Sequence, residues 1–209
     1  TAVTTAWNTA RWNNTADAPP YTSTFTANNA ASFTAGTYTF AGMGATINVG
    51  NVTVANGVTV NFASISNTYA TGGLVRTIDV GSGGLFDLNS QAVSTAAGTG
   101  FIKTGTGVFA TGAGTFTGGF TINAGTVIAR GTTGMGSGGA NLLTLNGGTL
   151  AANASRVFVN TRFPGGIVIG GDIQLGEIPA NVSLASNTAS LTFDNNVSLG
   201  GSTRTITLG

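Results

Sequence analysis

The chain of 209 residues contains no cysteine and no histidine, and only 6% of its residues are charged. Without cysteine it forms no disulfide and no thiolate metal site, an absence that fits secretion. Without imidazole it builds no Ser-His-Asp triad, no histidine-containing zinc site and no histidine general base. The seven basic residues (Arg11, Arg76, Lys103, Arg130, Arg156, Arg162 and Arg204) are scattered singly. No basic stripe follows a phosphate backbone or an anionic membrane surface, so neither nucleic acid nor membrane insertion is expected. No apolar run approaches the roughly 18 residues that cross a bilayer as a helix. The start at Thr1 carries no basic-then-apolar pattern, so any export signal is expected to be removed or to lie outside this sequence.

What is present is glycine, threonine, asparagine and small apolar residues. Glycine accounts for 34 of the 209 residues and hydrophobic residues for 41%, with a formal charge of +1. That hydrophobic content and low charge disfavour an intrinsically disordered chain. Apolar residues at helical spacing are not sustained anywhere, and glycine, threonine, valine and asparagine are poor helix formers. Strand grammar runs from end to end instead. Over residues 46–62, apolar residues alternate with threonine and asparagine in runs of three to five, punctuated by Gly50-Asn51 and Asn56-Gly57. The same grammar returns at residues 37–40, 77–80, 85–88, 142–150 and 167–175.

Such punctuation suits either antiparallel hairpins or the corners of a coil in which each strand pairs with its equivalent one turn later. Three features favour the coil: very short strands, small residues at the corners, and almost none of the Lys, Glu or Pro that protects open sheet edges. The expected fold is all-β, a single-stranded parallel β-helix, or β-solenoid. At roughly 20 residues or more per turn the chain makes about ten turns, a rod on the order of 50 Å long. Residues 1–21, with Trp7, Trp12 and Pro19-Pro20, read as an N-terminal cap or lead-in. Residues 22–209 read as the solenoid, continuing into a neighbouring subunit or into further repeats.

One stretch carries a family pattern. Lys103, Thr104, Gly105 and Gly107 form a Lys-Thr-Gly-x-Gly turn, Phe116, Thr117, Gly118 and Gly119 an aromatic-Thr-Gly-Gly corner, and Ile122, Asn123, Gly125, Thr126 and Val127 an Ile-Asn-x-Gly-Thr-Val strand. Residues 100–127 thereby resemble the passenger-associated transport repeat of autotransporter-type β-helix proteins. Gly114 stands where that repeat usually has Asn, and Phe116 where Tyr is common. The resemblance implies a right-handed parallel β-helix displayed at the bacterial cell surface. It implies no single activity, because function on such stems resides in grafted sites.

Acid–base or metal chemistry would have to come from the six acids, Asp17, Asp79, Asp87, Asp172, Glu177 and Asp194. Asp79 and Asp87 are the nearest to a metal or catalytic pair, and weak candidates: each sits between apolar neighbours, so both are expected to be solvated, outward-facing strand positions. The glycine-rich stretches 81–84 and 131–139 lack a P-loop lysine and read as flexible outer loops. Asp194-Asn195-Asn196 reads as a turn contributing to side-chain ladders. No catalytic residue, cofactor or metal is expected. The leading function is a structural surface fibre or filament module that associates end to end. The alternatives are an adhesin binding surface glycans through Thr/Asn rows and, behind it, a β-helix enzyme of the polysaccharide-lyase kind.

Overall fold

A computed structural model describes residues 2–5, 30–40, 47–62, 68–89, 92–93, 96–114, 116–131, 133–180, 182 and 189–209. Every element there is a β-strand, and every strand pairing is parallel. The strands stack into a nine-stranded long sheet, an eight-stranded second sheet, a four-stranded short sheet and a separate pair. One turn shows how the chain visits them. Val52–Val54 lies in the second sheet, Thr59–Phe62 in the long sheet and Thr68–Ala70 in the short sheet, and Val75–Val80 then returns to the second sheet. The expected coil of parallel strands is therefore the architecture. Nine strands about 4.8 Å apart make a column roughly 40 Å tall.

The core follows from register. Phe86 lies over Val60 and under Phe109, and Val127 lies over Phe109 and under Leu150. Inward positions thus form continuous columns in which each apolar side chain packs on its equivalent one turn away. Phenylalanines dominate the middle of the stack, with ring centroids 5.8 Å apart for Phe62 and Phe86, 5.7 Å for Phe86 and Phe109, and 6.1 Å for Phe109 and Phe120. Such spacings are those of favourable aromatic pairs.

Corners are closed by short polar side chains that reach the next turn. Asn51 Oδ1 accepts from the Thr77 N–H at 3.0 Å, Asn56 Oδ1 from Ser82 at 2.9 Å, and Asp172 Oδ1 from Thr205 at 2.8 Å. Asn146 donates to Asn123 Oδ1 at 2.9 Å, and Asn195 to the Phe163 carbonyl at 3.0 Å. Each such bond contributes on the order of 1 kcal/mol. Glycine is required where two corners touch: a Cβ on Gly107 would stand 2.2 Å from the Gly81 carbonyl oxygen.

One sequence reading changes. The stretch 81–84, and 134–136 within the second stretch, are not outer loops. Gly81 donates to the Val54 carbonyl at 2.8 Å and Gly57 to the Ser82 carbonyl at 2.9 Å, so 81–84 is a stacked corner. Gly134, Met135 and Gly136 are buried, Met135 within the core. Small residues there permit close stacking. The strand Ala2–Thr5 pairs with Thr37–Phe40, so the long sheet begins inside the segment read as a lead-in. Trp7, Trp12 and Pro19-Pro20 lie outside the described residues.

After Ile173–Leu175 the chain leaves the column, turns through a Val182 N–H to Pro179 carbonyl bond of 2.9 Å, and covers part of the long sheet's outer face. Ile178 and Val182 pack there on Val108, Ala110, Ile128 and Ala151. The column therefore has a second, smaller apolar layer outside its main core. Truncating Phe86 to alanine is expected to cost about 3–5 kcal/mol, and truncating the exposed Thr53 less than about 0.5 kcal/mol. Urea unfolding of the two variants checks this, and equal costs would contradict the stacked core.

Candidate functional site

The repeat-like motif forms a structural corner. Lys103, in the strand Gly100–Thr104, is completely buried. Its Nζ donates to the carbonyl oxygens of Thr104, of Gly105 at 2.7 Å and of Ala124, one turn on, at 3.4 Å. Burial lowers its pKa to about 8, and the Asp79 charge works in the opposite direction. The ammonium thus persists at neutral pH inside a ring of carbonyls. Thr104 Oγ1 donates to Asp79 Oδ1 at 2.8 Å, which links the same corner to the preceding turn. Gly105 and Gly125 adopt φ near +70°, and a Cβ on Gly125 would stand 2.7 Å from Lys103 Nζ.

The rest of the motif is packing and laddering. Phe116 is buried edge-on against Phe101, with ring centroids 5.2 Å apart. Thr117 Oγ1 accepts from the Gly98 N–H at 3.4 Å. Gly118 and Gly119 shape the corner that meets Gly98 and Leu142, and Ile122, Thr126 and Val127 are buried. Asn123 accepts the Asn146 bond described above. The motif joins three consecutive turns and presents no reactive group to solvent.

Asp79 and Asp87 do not form a pair. Asp79 belongs to the second sheet and Asp87 to the long sheet. The solvated position expected for Asp87 is also corrected: it is only 5% exposed. Its outer-side location is covered by Arg130, whose Nη2 donates to Asp87 Oδ2 at 2.7 Å. Asn89 completes the cluster with a left-handed φ of 52°. Its N–H donates to Asp87 Oδ1 at 2.7 Å, and its Oδ1 accepts from Arg130 Nη1 at 2.7 Å. Arg156 donates to the Arg130 carbonyl and to Asn153 Oδ1, holding the arginine's backbone from the next turn. Burial pushes the Asp87 carboxyl above the usual range, while Arg130 and the Asn89 N–H pull it back.

This cluster forms one wall of a cavity of about 250 Å³. Thr59 and Asn61 line it from the preceding turn, and Leu85 and Val182 add apolar surface. The side chains of Thr59 and Asn61 make no hydrogen bond among the described residues. The cavity thus adjoins the outer apolar layer, with which it shares Leu85 and Val182. Sequence reasoning missed it because Asp87 and Arg130 are 43 positions apart, and no local pattern marks their meeting.

The other acids are dispersed. Asp172 caps the Thr205 N–H, Glu177 accepts from Gln174 Nε2, Asp194 lies in the two-stranded sheet, and Asp17 is outside the described residues. Among the described residues no three acids gather as a metal site. Comparison with family models, with curated proteins and with solved structures gave no match.

Lys103 gives a pH signature. Its folded pKa of about 8 lies below its ordinary value of 10.5, so between these values the unfolded chain holds a proton that the folded chain has released. High pH then opposes unfolding, and this residue's contribution to stability rises from about pH 8 to about pH 10.5 by up to about 3 kcal/mol. Urea unfolding across this range, compared with Lys103→Met, should show the rise in the native chain alone. Parallel pH profiles would contradict the buried ammonium.

Proposed function

We propose that the chain is a structural module of an extracellular surface fibre or stem, a right-handed single-stranded β-helix that lengthens end to end by strand stacking and carries no catalysis. The observation that carries this reading is the far end of the column. In the last strand of the long sheet, Ile206 lies over Ile173 and Leu208 over Leu175. Both occupy the inward columns that are fully covered lower in the stack, where Leu150 is 1% exposed. At the end they are 42% and 79% exposed, and Val197, which lies over Ile167 at the end of the second sheet, and Leu199 after it are 43% and 44% exposed.

A terminal strand also offers a row of unpaired backbone donors and acceptors. One further turn, from more chain or from another subunit, would satisfy those groups and cover the apolar residues. Adding like to like in this head-to-tail manner does not close on itself, so filaments follow. The non-catalytic reading is supported by the separation of the described carboxylates on different faces. Surface display is supported by the repeat-like motif and by the low charge and missing cysteine.

An adhesive role as a glycan-binding module is the second reading, favoured by the outer-face cavity. End-to-end assembly is tested by electron microscopy and sedimentation of the purified chain. Filaments or concentration-dependent linear oligomers are expected, and combining Ile206→Lys with Leu208→Lys should abolish them while leaving the circular dichroism spectrum unchanged. A native chain that stays monomeric at all concentrations, or oligomers indifferent to the two lysines, would overturn the proposal.

A further inference from the structure

The cavity beside Asp87 has a composition that the column itself does not require. A buried ion pair generally stabilises a fold no better than apolar residues of similar size. The adjoining outer-face positions are already apolar: Ala110 follows Asp87 in the same column, and Ile128 follows Ala110. At this turn three uncharged polar side chains, Thr59, Asn61 and Asn89, line the outer face beside the ion pair.

The arrangement within the cluster is directional. Arg130 and Asp87 neutralise each other, and both terminal nitrogens of Arg130 are engaged, one by Asp87 and one by Asn89. Asn89 spends its N–H and its Oδ1 on the same cluster, which leaves its Nδ2 group uncommitted among the described residues. Thr59 contributes a hydroxyl and Asn61 a whole amide, both free of partners among the described residues and lining the cavity. Together they supply donors and acceptors without net charge. Leu85 and Val182 supply apolar surface in the same cavity.

A ligand matching this lining carries several hydroxyls, no charge, and an apolar C–H face. Those are the properties of a sugar ring. A volume of about 250 Å³ lies just below the range typical of drug-sized ligands, which suits a single ring. We propose that the outer-face cavity formed by Thr59, Asn61, Asn89, Asp87–Arg130 and Val182 binds one uncharged sugar residue of a glycan. The ion pair and the left-handed Asn89 act as a pre-organised support, and Asn61 and Thr59 make the selective hydrogen bonds. The site lies on the side of the column, away from its ends, so it does not depend on end-to-end stacking.

The test is titration of the isotopically labelled chain, followed by NMR, with methyl glycosides of glucose, galactose, mannose and N-acetylglucosamine, and with glucuronate as the charged control. At least one neutral glycoside should shift the side-chain amide signals of Asn61 and Asn89, with millimolar affinity, as befits a single ring held by a few hydrogen bonds. Asn61→Ala should weaken that binding about tenfold. Thr59→Phe, which fills the cavity from a half-buried strand position, should abolish it. Backbone spectra of both variants establish that the column is intact. Absence of shifts with every neutral glycoside, retention of binding in the folded Thr59→Phe chain, or binding of glucuronate alone would each overturn the assignment.

Discussion

Parallel stacking in register is the constraint on which everything else in this protein depends. Each inward residue has the equivalent residue of the neighbouring turn above and below it, so the core is a set of columns rather than a single centre. A column such as Val60, Phe86, Phe109, Val127 and Leu150 tolerates changes in side-chain type but no break in apolar character. Corners obey the same rule. Where one corner rests on the next, as Gly107 does on Gly81, no side chain fits. Where there is room, Asn or Asp spans the gap and caps the N–H of the following turn.

The same constraint explains how little charge the chain carries. Backbone pairing is completed by the turns on either side, so edge-protecting lysines have no work along the column. Lys103 is the exception, and it serves as an internal donor to three carbonyls. In the last described turn Ile206 and Leu208 lie over Ile173 and Leu175 and are exposed. A further turn stacked there, from more chain or from another subunit, would cover them, which is the contact that the proposed assembly uses.

Much of the architecture was legible in the sequence. Residues 46–62 read as alternating runs broken at Gly50-Asn51 and Asn56-Gly57, and the structure places Ile47–Asn48, Val52–Val54 and Thr59–Phe62 in three different sheets with corners at those breaks. What stayed hidden depends on contacts between turns of unequal length. Corner bonds span 26 residues from Asn56 to Ser82 but 19 from Gly98 to Thr117, so no fixed period shows which outward residues become neighbours. Asp87 looked solvated because its local alternation says only that it leaves the core. Its burial comes from Arg130, two turns away, and the apolar layer beside it from Ile178 and Val182, in a segment that abandons the solenoid grammar. Lys103 was legible as part of a motif, whereas its complete burial was not, since a lysine on a strand normally points to water.

Register is tested most directly by disulfide cross-linking, to which a chain without cysteine is well suited. Thr144 lies over Thr121, and Val168 over Thr144, on half-buried positions whose substitution spares the core. Neighbouring strands are about 4.8 Å apart, within reach of a disulfide, and strands two turns apart are roughly twice as far. Combining Thr121→Cys with Thr144→Cys should give quantitative intramolecular cross-linking under mild oxidation, and so should Thr144→Cys with Val168→Cys. Thr121→Cys with Val168→Cys should remain reduced. Ready cross-linking of that last pair, with failure of the first two, would contradict the in-register column.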